Sequence, residues 1–262
     1  MLKLVSCELA KLKRKKFIPF VIVSAFMFPL PLALLMLTPR MTARYDTKAE
    51  LFDDFYQFVL GYGVELLLPC VIGIIAAILF FMERDNDTFK NLRTIPVTGT
   101  QMIFTKIIVL FLFGLIFCLS TAAVTIVCGS LIAEVGGLGY KLWLAVEMGI
   151  FVTAGTLPLV VLVVYFSRTY IFSVLLCIFY SVLSLTAESS FGVLPKLLCW
   201  LMPIPLTNLW CAGDMVRHGV KGSLGELQYL VPSTTQTVLI LGAMAVLSIL
   251  VIDRLYKTRG GD

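Results

Sequence analysis

The chain has 262 residues, 59% of them apolar or aromatic and only 14% charged, with a formal net charge of +5. A soluble core of this size would need far more polar cover, so the composition excludes a soluble enzyme and makes a membrane protein the natural class. The sequence holds no G-x-x-x-x-G-K-[ST] run, so no nucleotide-binding engine is expected within it.

In chain order, Leu2, Val5, Leu9 and Leu12 recur at helical spacing, while Lys3, Glu8, Lys11 and Lys15 lie on other faces. This predicts an interfacial helix over residues 1–16 on the cytoplasmic leaflet, with its lysines near anionic headgroups. A plain basic tail is the alternative reading. Apolar runs of membrane-crossing length follow at about 17–37, 62–82, 102–132, 142–166, 169–187 and 236–252. The first is longer than a signal-peptide core of about 7–15 residues and is closed by no small-residue cleavage site. It therefore reads as a retained helix, kinked at Pro29 and Pro31.

Thr47-x-x-Glu50 is a capping box, and behind it Phe52, Phe55, Tyr56 and Val59 share one helical face opposite Asp53, Asp54 and Gln57. An amphipathic helix on the outer leaflet is expected, bending into the second span near Gly61 and Gly63. It serves either as a lid on its own bundle or as a lateral gate. Glu65 and Glu147 fall inside apolar segments near their outer ends. They are candidates for a polar cavity on a substrate path, the alternative being side chains that reach the headgroup layer.

Between the second and third runs stands Glu83-Arg-Asp-Asn-Asp-Thr-Phe-Lys-Asn-Leu-Arg-Thr-Ile-Pro96. Asp85 or Asp87 can cap a short helix, Phe89 and Leu92 share a face, Arg93 sits near the C-terminal end and Pro96 stops it. Thr98-x-x-Gln101 is a second capping box, opening the third span. The segment reads either as a cytoplasmic helix that receives force from a partner or as an ordinary solvated hairpin loop.

Residues 193–212 are apolar enough to suggest a seventh crossing, but Pro195, Pro203 and Pro205 divide them into pieces too short to cross. Two short helices dipping into the outer leaflet are expected, within an external region at 188–235. Trp200 and Trp210 there, with Phe55 and Tyr56, offer an aromatic surface for an amphipathic substrate. Placing both termini inside puts fourteen basic residues on the cytoplasmic side and seven outside, as the positive-inside rule requires. Basic flanks at both ends demand an even number of crossings. Six spans in a single transmembrane domain over 1–262, all-α and polytopic, is the expected architecture.

The seven cysteines include no C-x-x-C pair, and the single histidine, His218, has no companion at metal-ligand spacing, so no metal is expected. Cys199 and Cys211 are either bridged or two buried thiols.

The 83–106 segment resembles the corresponding loop of ABC-2-type permeases, the membrane subunits of ABC exporters. There a Glu, a Gly-Thr-like pair, a few helical residues and a Pro-Val turn precede a Lys-bearing third span. Here those are Glu83, Asp87-Thr88, Phe89 to Arg93, Ile95-Pro96-Val97 and Lys106, with Asp87 departing from the usual Gly. The N-terminal Glu8, Lys11 and basic cluster, and the helical pair between the last two spans, are similar to the same group. Within it, size and N-terminal pattern look most like bacitracin-export and lantibiotic-immunity permeases.

The resemblance implies a transport subunit of a bacterial plasma membrane with no catalytic site and no cofactor of its own. Glu83, Asp87, Thr88, Phe89, Asn91, Leu92, Arg93 and Pro96 would couple it to a separate ATPase that supplies ATP and Mg. Two permeases and two ATPases would form the working unit, among membrane lipids and without nucleic acid. An ATPase-independent secondary transporter or channel is the alternative. An intramembrane enzyme fits poorly, because that chemistry needs clustered His, Asp, Ser or metal ligands.

Overall fold

The computed structural model describes residues 2–14, 17–85, 98–166, 170–220 and 225–259. These residues form helices joined by short turns and contain no strand. The helices are α1 (Leu2–Arg14), α2 (Phe17–Ala25), α3 (Pro29–Met36), α4 (Pro39–Thr42), α5 (Lys48–Phe58) and α6 (Glu65–Asp85). They continue with α7 (Gly99–Ile132), α8 (Leu138–Tyr165), α9 (Tyr170–Ser189), α10 (Lys196–Leu201), α11 (Pro203–Arg217) and α12 (Thr234–Arg259). A π-helix (Val59–Val64) joins α5 to α6, and a 3₁₀ turn (Gly225–Leu230) precedes α12.

Six helical segments are long and apolar enough to cross a membrane: Ile18–Met36, Lys48–Phe81, Gly99–Ile132, Leu138–Tyr165, Ile171–Ser189 and Thr234–Lys257. The protein is a multi-pass, all-α membrane protein. Helix α8 occupies the centre, packed against α6, α7, α11 and α12, while α9 lies along α6. The first, fifth and sixth spans are covered least and turn Val23, Leu34, Phe179, Leu239 and Val246 outward. Neither α10 nor α11 crosses: the longer has 15 residues, which at about 1.5 Å per residue falls well short of a bilayer core of about 30 Å.

Two boundaries differ from the sequence reading. The first span breaks one turn ahead of its prolines, in a turn over Phe26–Phe28 where the Phe26 amide bonds the Val23 carbonyl at 3.1 Å. A proline at the first position of α3 needs no helical donor, so Pro29 restarts the helix rather than merely bending it. The expected outer helix at the start of the second span also runs straight into it. The π-helix absorbs the change of register at Gly61 and Gly63, and α5 to α6 form one continuous rod. Its aromatic face, Phe52, Phe55 and Tyr56, is buried against the bundle. The Phe52 ring lies so close to Gly129 of α7 that a Cβ there would fall 2.1 Å from it, a contact only glycine permits.

Both capping boxes act as helix starts. The Thr47 hydroxyl accepts the Glu50 amide at 3.2 Å. Thr98 and Gln101 bond reciprocally, side chain to backbone, each at 3.3 Å. Inside α8, Pro158 has no amide to give the preceding turn, and the Tyr180 hydroxyl of α9 donates to the neighbouring Gly155 carbonyl at 2.8 Å.

Helices α7 and α8 approach closely at Gly114. A Cβ added there would sit 2.0 Å from Thr153 Oγ1 and 3.2 Å from the Gly149 carbonyl oxygen. Gly114→Val is expected to destabilise the fold by about 1–3 kcal/mol through overpacking. A lowered thermal midpoint of the purified protein in detergent measures it, and an unchanged midpoint would mean that the two helices separate at no cost.

Candidate functional site

Sequence reasoning placed the functional residues at two ends of the bundle, and the structure builds a distinct framework at each. At the end carrying α1, the second, third and sixth spans are tied side by side. Lys106 of α7 is buried, its ammonium donating to the Leu79 carbonyl of α6 at 2.6 Å and lying 5.2 Å from the Phe80 ring centre. Phe80 in turn meets Tyr256 of α12 edge-on at 6.4 Å. Thr100 donates to Asp253 of α12 at 3.0 Å, and Asp253 also pairs with Lys257 one turn on. The loop that leaves α6 and enters α7 is therefore anchored at both ends on a braced platform.

Glu83 lies in the last turn of α6. Asp87, Thr88, Phe89, Asn91, Leu92, Arg93 and Pro96 fall outside the described residues, as does Lys15. Beside the platform, α1 packs on α7 and α2, burying Val5 and Leu12, with Glu8 paired to Lys11 and Lys3 exposed.

At the opposite end three polar groups assemble. In the first, Lys141 of α8 is buried and pairs with Asp53 of α5 at 2.5 Å. Its ammonium also donates to the Gly136 carbonyl at 2.9 Å and stands 4.4 Å from the Phe52 ring centre. The Tyr56 hydroxyl closes the contact by donating to the Lys141 carbonyl at 2.6 Å. In the second, Asp214 of α11 accepts the Tyr140 hydroxyl at 2.9 Å and lies 3.3 Å from His218, whose ring stacks on Tyr140 at 4.1 Å. In the third, Asn208 of α11 donates to the Glu188 carboxylate of α9 at 2.8 Å beside the buried Glu65 of α6.

The candidate substrate-path residues are thus spread out. Phe55 and Tyr56 are buried in the α5–α7 contact, Glu65 is enclosed, and Glu147 is half-buried. Trp210 is buried, stacked edge-on with Phe151 at 4.7 Å and donating to Thr234 at 3.1 Å. Trp200 is half-buried, donating to the Leu230 carbonyl at 2.9 Å under Lys196. Both tryptophans therefore lock α10 and α11 to the segment that leads into α12. Cys199 and Cys211 are buried free thiols. Burial, reinforced by the nearby Asp214 and Glu147 charges, pushes the Cys211 thiol up to about 12, which leaves it unreactive at neutral pH.

Sequence reading missed Glu188, Asn208, Asp214 and the Lys141–Asp53 pair. Each joins residues from separate spans, and only the acid closing the apolar run at 169–187 signalled any of them.

The residues of the 83–106 segment, the N-terminal Glu8, Lys11 and basic cluster, and the helical pair before the sixth span are the features that suggested a permease. The sequence profile of the family described as ABC-2 family transporter protein matches residues 4–184. The chain belongs to the ABC-2 transporter family. The match begins in α1 and runs into the fifth span, so it includes the α6 and α7 sides of the braced platform and the whole 83–106 segment, while the α12 side lies beyond it. No curated protein matches the sequence. Membership makes this ABC-2 protein a membrane subunit of a transporter, and permeases of this family typically work with an ABC ATPase.

Proposed function

We infer that this ABC-2 protein is the membrane-spanning permease of an ATP-driven exporter in a bacterial plasma membrane. Both termini and the 83–97 loop face the cytoplasm, where a separate ATPase docks on that loop and supplies ATP and Mg. The family match over residues 4–184 carries the reading. The bracing of α6, α7 and α12 around the loop supports the route of coupling, since a push on the loop reaches three spans at once. The basic residues around α1 and the α6–α7 loop support the orientation.

The working unit is two copies of this chain with two ATPases. The poorly covered first, fifth and sixth spans leave apolar faces for a second copy and for lipid. The helices α10 and α11, too short to cross, with α11 packed on α8 and α9 and α10 on α11, act as the re-entrant outer cap of the pathway. The substrate is an amphipathic peptide or lipid-like molecule of the bacitracin or lantibiotic type. It is handled at the end of the bundle where the polar groups of α8 and α11 lie.

Mild-detergent purification of the tagged chain from its native membranes is expected to bring down an ATP-hydrolysing subunit in one-to-one ratio. Recovery of a folded permease without any ATPase would overturn this reading in favour of a secondary transporter. Loss of bacitracin or lantibiotic tolerance on deletion of the gene, restored by the intact chain, tests the substrate class.

A further inference from the structure

Near the outer end of the bundle the π-helix, α9 and α11 enclose a small acidic chamber. Its wall is the hydrogen-bonded pair formed by Asn208 and Glu188, 2.8 Å apart. Glu65 points into this pair at 1% exposure, and neither of its carboxyl oxygens has a hydrogen-bond partner. Glu188 is 6% exposed, and its second oxygen, Oε1, is likewise unpartnered.

Three carboxyl oxygens thus meet in a dry site, and among the described residues no lysine, arginine or histidine pairs with either acid. The other groups facing them are Tyr62 from the π-helix and Cys211 from α11, together with the Asn208 amide. None of these is a cation. Glycine at position 61 keeps the chamber tight, since a Cβ there would already touch the Asn208 amide at 3.6 Å.

Two ionised carboxylates in contact and out of water repel each other and lose their hydration, and an Asn amide offers donors but no compensating charge. A single proton removes both difficulties. Held on one carboxyl, it donates an O–H···O bond to the other, reduces the net charge of the pair from −2 to −1 and gives an unpartnered oxygen its partner. We propose that Glu65 and Glu188 form a proton-binding site that holds one shared proton, and that this proton fastens α9 to the start of α6 in the second span.

Release of the proton to water at that end leaves two facing negative charges on α6 and α9, and the neutral Asn208 amide brings no positive charge to offset them. Rising pH therefore loosens the contact, and falling pH restores it. The site uses no substrate, nucleotide or metal, so its existence does not depend on what the permease carries.

Infrared difference spectroscopy of the purified chain in lipid nanodiscs, titrated from about pH 5 to pH 9, reads the proton directly. Wild type is expected to show a buried carboxylic-acid carbonyl band that bleaches as pH rises, and the double variant Glu65→Gln/Glu188→Gln to lack it. In Glu65→Gln and in Glu188→Gln alone, the remaining acid has lost its like-charged neighbour and is expected to bleach about one pH unit or more lower. The glutamine variants keep the side-chain shape, and elution as a monodisperse peak with wild-type helical signal shows that they fold. A wild-type spectrum identical to the double variant's overturns the proposal. So does a single-variant band that bleaches at the wild-type pH, because the two acids would then hold their protons independently.

Discussion

Replacing Lys141 with methionine lowers the stability of the folded protein by about 3 kcal/mol, the lower end of what breaking a buried ion pair costs. The lysine is buried while Asp53 keeps partial contact with water, so the stranded carboxylate can recover some hydration. Asp53→Asn is expected to cost more than Lys141→Met. It leaves a buried ammonium with no counter-charge, held only by neutral groups: the new amide oxygen, the Gly136 carbonyl and the Phe52 and Tyr56 rings. The double variant Lys141→Met/Asp53→Asn should recover at least about 1 kcal/mol relative to the sum of the single changes, because the uncompensated charges disappear together. Denaturant or thermal unfolding of the three variants in one detergent gives the cycle. A neutral Lys141→Met would show that α5 is held to α8 by its aromatic packing alone.

That pair also explains what the sequence could and could not reveal. The six spans were legible because each apolar run is long enough to declare itself, and the parity of the basic flanks excluded a seventh. The helix starts at Thr47 and Thr98 were legible because capping is local, written within four residues. The face of α5 was legible as amphipathic, but its burial was not. Periodicity identifies the apolar side of a helix without saying whether lipid or protein covers it. Phe52 finds its place only because Gly129, far along the chain, lacks a side chain.

The polar groups at the outer end were hidden for the same reason. Glu65 stood out as an acid in an apolar run, yet its neighbours Glu188 and Asn208 come from two other elements, and sequence spacing carries no trace of the meeting. Trp200 and Trp210, read as a surface for substrate, spend their indole N–H groups on the Leu230 carbonyl and the Thr234 hydroxyl. A tryptophan in an apolar stretch suggests an interface from composition alone, whereas a bonded indole N–H marks a fixed joint. The end away from α1 is thus a set of cross-links among helices, and movement there requires that one of them open.

Movement at the other end is expected to pass through the α6–α7 loop, and Leu92→Asp is the sharpest probe of it. Phe89 and Leu92 are expected on one side of a helix delimited in sequence by Asp87 and Pro96, so a charge at 92 places a carboxylate where an apolar face would meet the ATPase. Transport is expected to fall by about tenfold or more while the chain reaches the membrane at wild-type level and the partner continues to hydrolyse ATP. Phe89→Ala should act in the same direction with a smaller effect, since it removes contact without adding charge. Lys90→Ala, off that face, should leave transport unchanged. Substrate efflux, ATP hydrolysis and membrane abundance measured together separate uncoupling from misfolding. Wild-type transport by Leu92→Asp would remove the loop from the coupling route. The bracing of Lys106 on Leu79 and of Thr100 on Asp253 would then serve only to hold three spans together.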